Sequence, residues 1–488
     1  MKAAGRSLVI LHLDGVGHRF LARAVEDGRM PAVARLIAEE GYEALPYRCG
    51  IPSTTPFCQA GILYGDNAEI PSYRWWDKQA GLLVSFGIGS SFKKVAHRYF
   101  RGRRPLTEGG AVIGSCYPAG AKDTFGLAYR ERDYSGSPGS HSALSVIAPF
   151  FANPIRVADW LRHGAWAVAA TTAMAVRASL GGRAPARAYV VSDMLEEVFL
   201  HHVARYAVTR AMDRGFPIIY AGFYAYDETA HGFGPEDLYC YRMLEEIDDT
   251  IGEIAGRRRG RDGNPSQYEL VVLSDHGQVE TVAFNGPDGR TLGDIVAELL
   301  PTHEVAEYKG QVRQPKGDAL DGHVALTYSG GLAHLYFKDL PGRLPAAELD
   351  RRFPGLVEAI AKLDRVAFAL VRNDGAGILV HGQARMPLDG EDAAGLLGRY
   401  DDAAALAPEL IRLNSFERSG DIIIFGEQKE QGQVNFEHQV GGHGSIGGDQ
   451  VWPFLLAKRE WGLDLSGVLS AADVYPILSD LRDRLAGG

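Results

Sequence analysis

Three apolar runs in the chain each end on an aspartate: Ser7-Leu-Val-Ile-Leu-His-Leu-Asp14, Pro217-Ile-Ile-Tyr-Ala-Gly-Phe-Tyr-Ala-Tyr-Asp227 and Tyr268-Glu-Leu-Val-Val-Leu-Ser-Asp275. His231 follows Asp227 at the fourth position, His276 follows Asp275 directly, and His443 lies among glycines in Gly441-Gly442-His443-Gly444. Carboxylates and imidazoles are donors for borderline divalent cations, and this mixed set suits two of them. If Asp227-Glu-Thr-Ala-His231 is helical, both side chains lie on one face and can chelate one cation. Asp275 and His276 can share a cation only where the strand breaks into a loop, because strand neighbours point to opposite faces. Gly277 suits that break, and Gly15 after Asp14 lets backbone approach an ion closely. His443 reads as an exposed ligand on a flexible loop. The literal GxGxxG there follows no clear apolar strand and opens no convincing helix, so a dinucleotide site is discounted.

A hydroxyl is the remaining ingredient. Pro52-Ser53-Thr54-Thr55-Pro56-Phe57 precedes Cys58-Gln-Ala-Gly-Ile-Leu-Tyr-Gly65. A threonine or serine at a helix start beside a divalent cation is a plausible nucleophile, with helix N–H groups ready for a phosphate. The same residues also read as ordinary N-caps. Both readings stand on these residues alone.

The elements that must carry these groups are strands and helices in alternation. Short, β-branched apolar runs read as strands buried on both faces, as in parallel sheets. Ligands in open α/β sheets bind beyond the carboxyl ends of the strands, where the three aspartates would meet. Helices are expected from Phe20 to a stop at Gly28, from Pro31 to Glu40, and after Pro235 with Leu238, Tyr241, Leu244, Ile247, Ile251 and Ile254 on one face. The fold class is therefore α/β, a mostly parallel central sheet flanked by helices. From about 99 to 205 the pattern loosens, with Ser135-Gly-Ser-Pro-Gly-Ser140 and a long helix near Leu195 to Met212. A second such stretch runs from about 300 to 415. Both are expected as insertions into one catalytic domain spanning the chain.

With 51 Lys and Arg against 61 Asp and Glu over 488 residues, net charge is −10, which gives no electrostatic case for nucleic-acid binding. Arg257-Arg-Arg-Gly-Arg261 reads as a solvated loop. Cys49, Cys58, Cys116 and Cys240 are few and far apart, so buried thiols are expected rather than a disulfide framework. The run Gly164 to Val176 is too short and too rich in Ala and Thr to span a bilayer. The first strand starts at Ser7, which reads as leaving no space for a secretory leader, so a cytoplasmic protein is expected.

The order Asp, Thr, Asp-x3-His, Asp-His, Gly-His-Gly resembles the alkaline phosphatase superfamily, most closely its type I phosphodiesterase/nucleotide pyrophosphatase branch. That branch opens with an apolar strand, Asp-Gly and an "MPxLxxLxxEG"-like helix, here Met30-Pro-Ala-Val-Ala-Arg-Leu-Ile-Ala-Glu-Glu-Gly41. Its nucleophile lies in Pro-[ST]-x-Thr, which selects Thr55 over Thr54. Val451-Trp-Pro-Phe-Leu-Leu-Ala and the helix from Ala471 also look like the family's ending. The resemblance covers about residues 6–80, 215–280 and 420–488. It implies one metal on Asp14, Thr55, Asp275 and His276, and a second on Asp227, His231 and His443. Zinc is favoured and manganese also fits. The implied reaction is two-step hydrolysis of a small-molecule phosphate ester through Thr55, a diester or pyrophosphate ahead of a monoester. A catalytically silent metal-binding relative is the alternative from another class. A family asparagine downstream of the nucleophile has no counterpart in Ile70-Pro-Ser-Tyr73-Arg74-Trp75-Trp76-Asp77. Arg74 or Tyr73 is expected to take over its phosphate contact, with the tryptophans walling the pocket. Against this stands the reading of Arg74 as a surface cation and both tryptophans as core.

Overall fold

The computed structural model describes residues 5–86, 92, 98–127, 143–179, 191–258, 267–285, 289–308, 323–400 and 403–487. The Ser135–Ser140 loop and the arginine run beyond Arg258 lie outside them.

The main sheet has seven strands, in the order Tyr42–Pro46, Phe454–Lys458, Tyr268–Leu273, Ser7–Leu13, Ile218–Phe223, Ala111–Ser115 and Asp123–Leu127. The last five are mutually parallel, and the first two are antiparallel additions at one edge. Alternation along the first strand shows why it sits centrally. Leu8 and Ile10 enter one apolar core, while Val9, Leu11 and Leu13 enter the other, so the strand is buried on both faces. Burying each such side chain fully contributes about 1.5–3 kcal/mol. The expected mostly parallel α/β sheet is what forms.

The strand Ser7–Leu13 pairs with Ile218–Phe223 on one side and Tyr268–Leu273 on the other. The three runs that end in aspartate are thus adjacent and parallel, and Asp14, Asp227 and Asp275 follow the carboxyl ends of central strands.

The expected helices are present as His18–Glu26, Pro31–Glu39, Leu238–Arg258 and Val191–Asp213. Tyr241, Leu244, Ile247, Ile251 and Ile254 are buried as the periodicity requires. Leu238 is 69% exposed, because it stands in the first turn, ahead of the sheet.

Both regions read as insertions contribute more than that reading allowed. Ala111–Ser115 and Asp123–Leu127 lie inside 99–205, yet they extend the main sheet. Each is only five residues long and contains a glycine, Gly114 or Gly126, and so carries little strand signal. Most of 300–415 builds a second seven-stranded sheet: Val305–Tyr308, Val324–Ser329, Leu332–Phe337, Ile422–Gly426, Val366–Val371, Ile378–His381 and Ala384–Pro387. Its fourth strand, Ile422–Gly426, lies beyond the expected boundary and pairs with sequence-distant strands on both sides. All four cysteines are free and buried. Among the described residues no helix is long and apolar enough to cross a membrane.

Candidate active site

Thr55 opens the helix Thr55–Tyr64, which ends on Gly65 in a left-handed conformation (φ +67°). Gly61 is the contact with the helix Ala471–Gly487, where a Cβ would overlap the backbone of Ala471 and Ala472. The helix is therefore seated deeply, and its first residue meets the edge of the main sheet. The N-cap of this helix is Thr54, whose side chain makes no capping hydrogen bond. Thr55 Oγ1 lies 3.5 Å from Asp14 Oδ1 and 3.2 Å from His276 Nε2. The N-cap position thus falls to Thr54, and the Thr55 hydroxyl faces Asp14 and His276.

Asp275 and His276 follow the strand end at Leu273, where the chain has left the sheet as the shared-cation reading requires. His276 Nε2 is 3.3 Å from Asp14 Oδ1 and 3.6 Å from Asp275 Oδ2. Asp227 and His231 lie in the helix Ala225–Phe233, with His231 Nε2 3.1 Å from Asp227 Oδ2. His443 Nε2 is 3.6 Å from Asp227 Oδ1 and 3.3 Å from His231 Nε2. The rings of His276 and His443 stack at 3.9 Å and join the two groups. Gly15 adopts φ +75°, and a Cβ there would overlap Asp227 Oδ1, so glycine at this position admits that carboxylate.

His443 is buried and pinned, not exposed on a flexible loop. Gly441 and Gly442 pair with Val279 and Glu280, and Cβ atoms on those two glycines would overlap Ala230 O and the Asn435 side chain. The glycines serve close packing here. Ser53 completes the anchorage: its Oγ accepts from Gly444 N (2.9 Å) and its carbonyl lies 2.7 Å from His443 Nδ1.

The three histidines share one arrangement. Nδ1 of His231, His276 and His443 lies 3.0, 3.0 and 2.7 Å from the carbonyl oxygens of Gly441, Gly277 and Ser53. A carbonyl only accepts, so each Nδ1 carries the proton and each Nε2 presents a lone pair. All three lone pairs point into the space bounded by Asp14, Asp227, Asp275 and Thr55. Two imidazole lone pairs 3.3 Å apart and three buried carboxylates call for positive charge between them. The donor set therefore fits divalent cations.

The buried charges also pull on one another, and a cation would have to displace the second proton that Asp227 holds on His231. Burial, then Asp275 and Asp227, pushes Asp14 well above the usual carboxylate range. Burial also raises Asp227, but His231 and His443 outweigh it and hold that carboxyl low. Burial would lower His231, yet Asp227 lifts it to about 9, while burial and the neighbouring His276 push His443 down to about 3. Asp275 is held low against its burial by His276 and His12.

Two residues at this site escaped the sequence reading. Gln278 donates to Asp227 Oδ1 (2.5 Å) and to its carbonyl (3.0 Å). His12 is fully buried with Nε2 3.0 Å from Asp275 Oδ1. Its tautomer follows from a chain of partners. Cys116 N–H donates to Gln59 Oε1 (2.9 Å), which turns the Gln59 amide nitrogen toward His12 Nδ1 (3.4 Å). Nε2 of His12 therefore carries the proton that faces Asp275. The signal was present, since His12 lies two residues before Asp14 on one strand and so on the same face.

Arg74 is not a surface cation. It is buried, with Nη1 2.6 Å from Glu437 Oε1 and 2.5 Å from the Tyr328 carbonyl. Glu437 Oε2 in turn accepts from Gly330 N (2.9 Å), and Gly330 packs against the His443 backbone so tightly that a Cβ would overlap it. Arg74 thus braces the turn behind His443. Tyr73 lies under the Arg74 guanidinium, with its phenol pushed up by burial. Trp75 and Trp76 belong to the core, as the second reading of them held. Asn67 is buried against Ser470 and Arg412, away from the cluster.

Three comparisons place the chain. The structure of phosphonoacetate hydrolase from Sinorhizobium meliloti 1021 with phosphonoformate aligns over 98% of this chain and 96% of its own, at 16% identity and TM-score 0.51. Human ectonucleotide pyrophosphatase/phosphodiesterase 5 aligns over 98% and 95%, at 11% identity and TM-score 0.51. An inactive form of the murine protein in complex with AMP does so at 10% identity and TM-score 0.50. At these identities the likeness is one of fold. Among curated protein sequences none matches. The family model for type I phosphodiesterase/nucleotide pyrophosphatase matches residues 8–310, more than half of the chain. With the alkaline-phosphatase-like fold and this match together, the chain belongs to the type I phosphodiesterase/nucleotide pyrophosphatase family of phosphate-ester hydrolases.

Proposed function

We propose that the protein hydrolyses a phosphodiester or pyrophosphate bond in a small molecule, with Thr55 as nucleophile. Asp14, Thr55, Asp275 and His276 would hold one divalent cation, and Asp227, His231 and His443 a second, zinc being the ion best matched to these donors. One observation carries the reading: three histidines, each locked by a backbone carbonyl on Nδ1, aim Nε2 at the same space as three buried carboxylates and the Thr55 hydroxyl. Cations bound there would lower the hydroxyl pKa and neutralise charge on the phosphoryl oxygens.

The chain's own groups do the rest. Thr55 Oγ attacks phosphorus as the bond to the leaving oxygen breaks, and the released group takes a proton from solvent. Water then cleaves the phosphothreonine and frees Thr55. The first turn of the helix Thr55–Tyr64 offers backbone N–H groups to phosphoryl oxygens. Pairing of Arg74 with Glu437 favours a diester: a monoester dianion asks for an extra cation, and this guanidinium is committed to a carboxylate. We read residues 1–488 as one catalytic domain, because donors from Asp14 to His443 must share one scaffold.

Thr55→Ala is expected to abolish turnover of bis-p-nitrophenyl phosphate while metal content stays near that of the parent. The parent is expected to prefer that diester to p-nitrophenyl phosphate after chelation and zinc reconstitution. Near-parental turnover in Thr55→Ala would remove Thr55 as nucleophile, and preference for the monoester would overturn the substrate class.

A further inference from the structure

Away from the active site, three helices bring a second set of donors together. Asp159 and His163 lie one turn apart on Pro154–Ser179, His202 on Val191–Asp213 and Glu246 on Leu238–Arg258. Asp159-x3-His163 repeats the spacing of Asp227-x3-His231, which puts carboxylate and imidazole on one helical face. His163 Nδ1 is 3.8 Å from Asp159 Oδ1, and His202 Nδ1 is 3.7 Å from Asp159 Oδ2. The two imidazole rings are 4.8 Å apart. On the far side of its ring, His163 Nε2 is 3.8 Å from Glu246 Oε1.

Burial makes the set unusual. His163, His202 and Glu246 are 3%, 5% and 5% exposed. His163 Nδ1, His202 Nε2 and Glu246 Oε1 are buried and make no hydrogen bond. A buried polar atom without a partner is destabilising unless something compensates it. On the same helices, partly buried Trp160 and Trp166 pack beside Val198.

We propose that Asp159, His163 and His202 hold a divalent cation of the zinc class, separate from those of the active site. With Nδ1 on the cation, His163 Nε2 carries its proton toward Glu246, the carboxylate–histidine–metal order that fixes ring and tautomer in metal sites. Two imidazoles and a carboxylate are a zinc donor set, and half-buried Asp159 leaves access for water to complete it. The competing partner is Arg162, whose Nη2 sits 3.0 Å from both His163 Nε2 and Asp159 Oδ1. Its side chain is 62% exposed and free to swing outward as the cation enters. Arg205 Nη1, 3.9 Å from Asp159 Oδ2, is drawn away by Glu253. The cation would tie two helices of the 143–213 region together and, through His163 and Glu246, to Leu238–Arg258, the helix that follows the one bearing Asp227 and His231.

The test counts zinc. Full-length protein saturated with zinc, freed of excess by gel filtration, is analysed by elemental mass spectrometry. Parent protein is expected to carry one zinc more per chain than His202→Ala or Asp159→Asn, with turnover of bis-p-nitrophenyl phosphate retained in both variants. The count is a difference, so it stands whatever the active site holds. Equal zinc in parent and folded variants overturns the proposal. Should both variants fail to fold, anomalous diffraction at the zinc edge on parent crystals decides. A peak bounded by Asp159, His163 and His202 supports the site, and its absence at zinc saturation overturns it.

Discussion

At the residue scale the site depends on which nitrogen of each histidine is free. His231, His276 and His443 all donate Nδ1–H to backbone carbonyls, so the chain fixes Nε2 as the nitrogen that each ring turns to the space between the carboxylates. The same logic gives His12 a role without metal contact. Cys116 N–H orients Gln59, Gln59 orients His12, and His12 Nε2–H faces Asp275. His12 is thus a positioning residue for a carboxylate of the cluster. His12→Phe is expected to weaken zinc affinity about 10–100-fold, as loss of such a support does. Melting temperature of the metal-free protein should change little, and titration of both forms with zinc checks this. Unchanged affinity would reduce His12 to core packing. The metal-type residues themselves were legible from strand-end aspartates and short His spacings. His12 was within reach of the same reading, two residues before Asp14, whereas Gln278 was not, because its partner Asp227 is remote in sequence and only the folded chain brings them near.

At the scale of elements, the strand order does the positioning. The three aspartate-bearing strands were readable because each is apolar, β-branched and buried on both faces. The turn behind His443 was not, since it depends on Arg74, Glu437 and Gly330 meeting across the second sheet. That ion pair is buried, with side chains 6% and 11% exposed. Arg74→Ala is expected to cost about 3–5 kcal/mol by stranding Glu437, read by urea unfolding. Full stability with a large loss of kcat/KM would instead return Arg74 to the phosphate. His334 in the second sheet offers a pH test. Gly420 N–H donates to its Nδ1 (3.0 Å), so Nε2–H donates to the Pro71 carbonyl (3.1 Å) and the ring is neutral. Burial pushes it down to about 3 from 6.5. A depressed folded value means the contribution to stability is present above pH 6.5 and is lost as pH falls toward 3. His334→Gln keeps an acceptor and a donor without titrating. Its stability is expected to fall less steeply than the parent's between those pH values, and parallel curves would remove His334 as the cause.

For the whole molecule, the site is a meeting of distant segments. Asp14, Thr55, Asp227, Asp275 and His443 come from five parts of the chain, and the family match ends at residue 310, well before His443. Strands of the main sheet lead into Asp14, Asp227 and Asp275, the helix Thr55–Tyr64 brings Thr55, and the small pairing of Gly441–Gly442 with Val279–Glu280 brings in the last. Chemistry and sheet class could be read from the sequence because both repeat local patterns. The second sheet could not, because its strand Ile422–Gly426 pairs with strands about 50 and 90 residues upstream. The central claim is that Thr55 forms a covalent bond to phosphorus inside this assembly. Acid quenching of zinc-loaded protein during turnover of bis-p-nitrophenyl phosphate, followed by peptide mass spectrometry, tests it directly. The account expects a phosphoryl adduct on Thr55 alone. Turnover with an unmodified Thr55, or an adduct on Ser53 or Thr54, would contradict it.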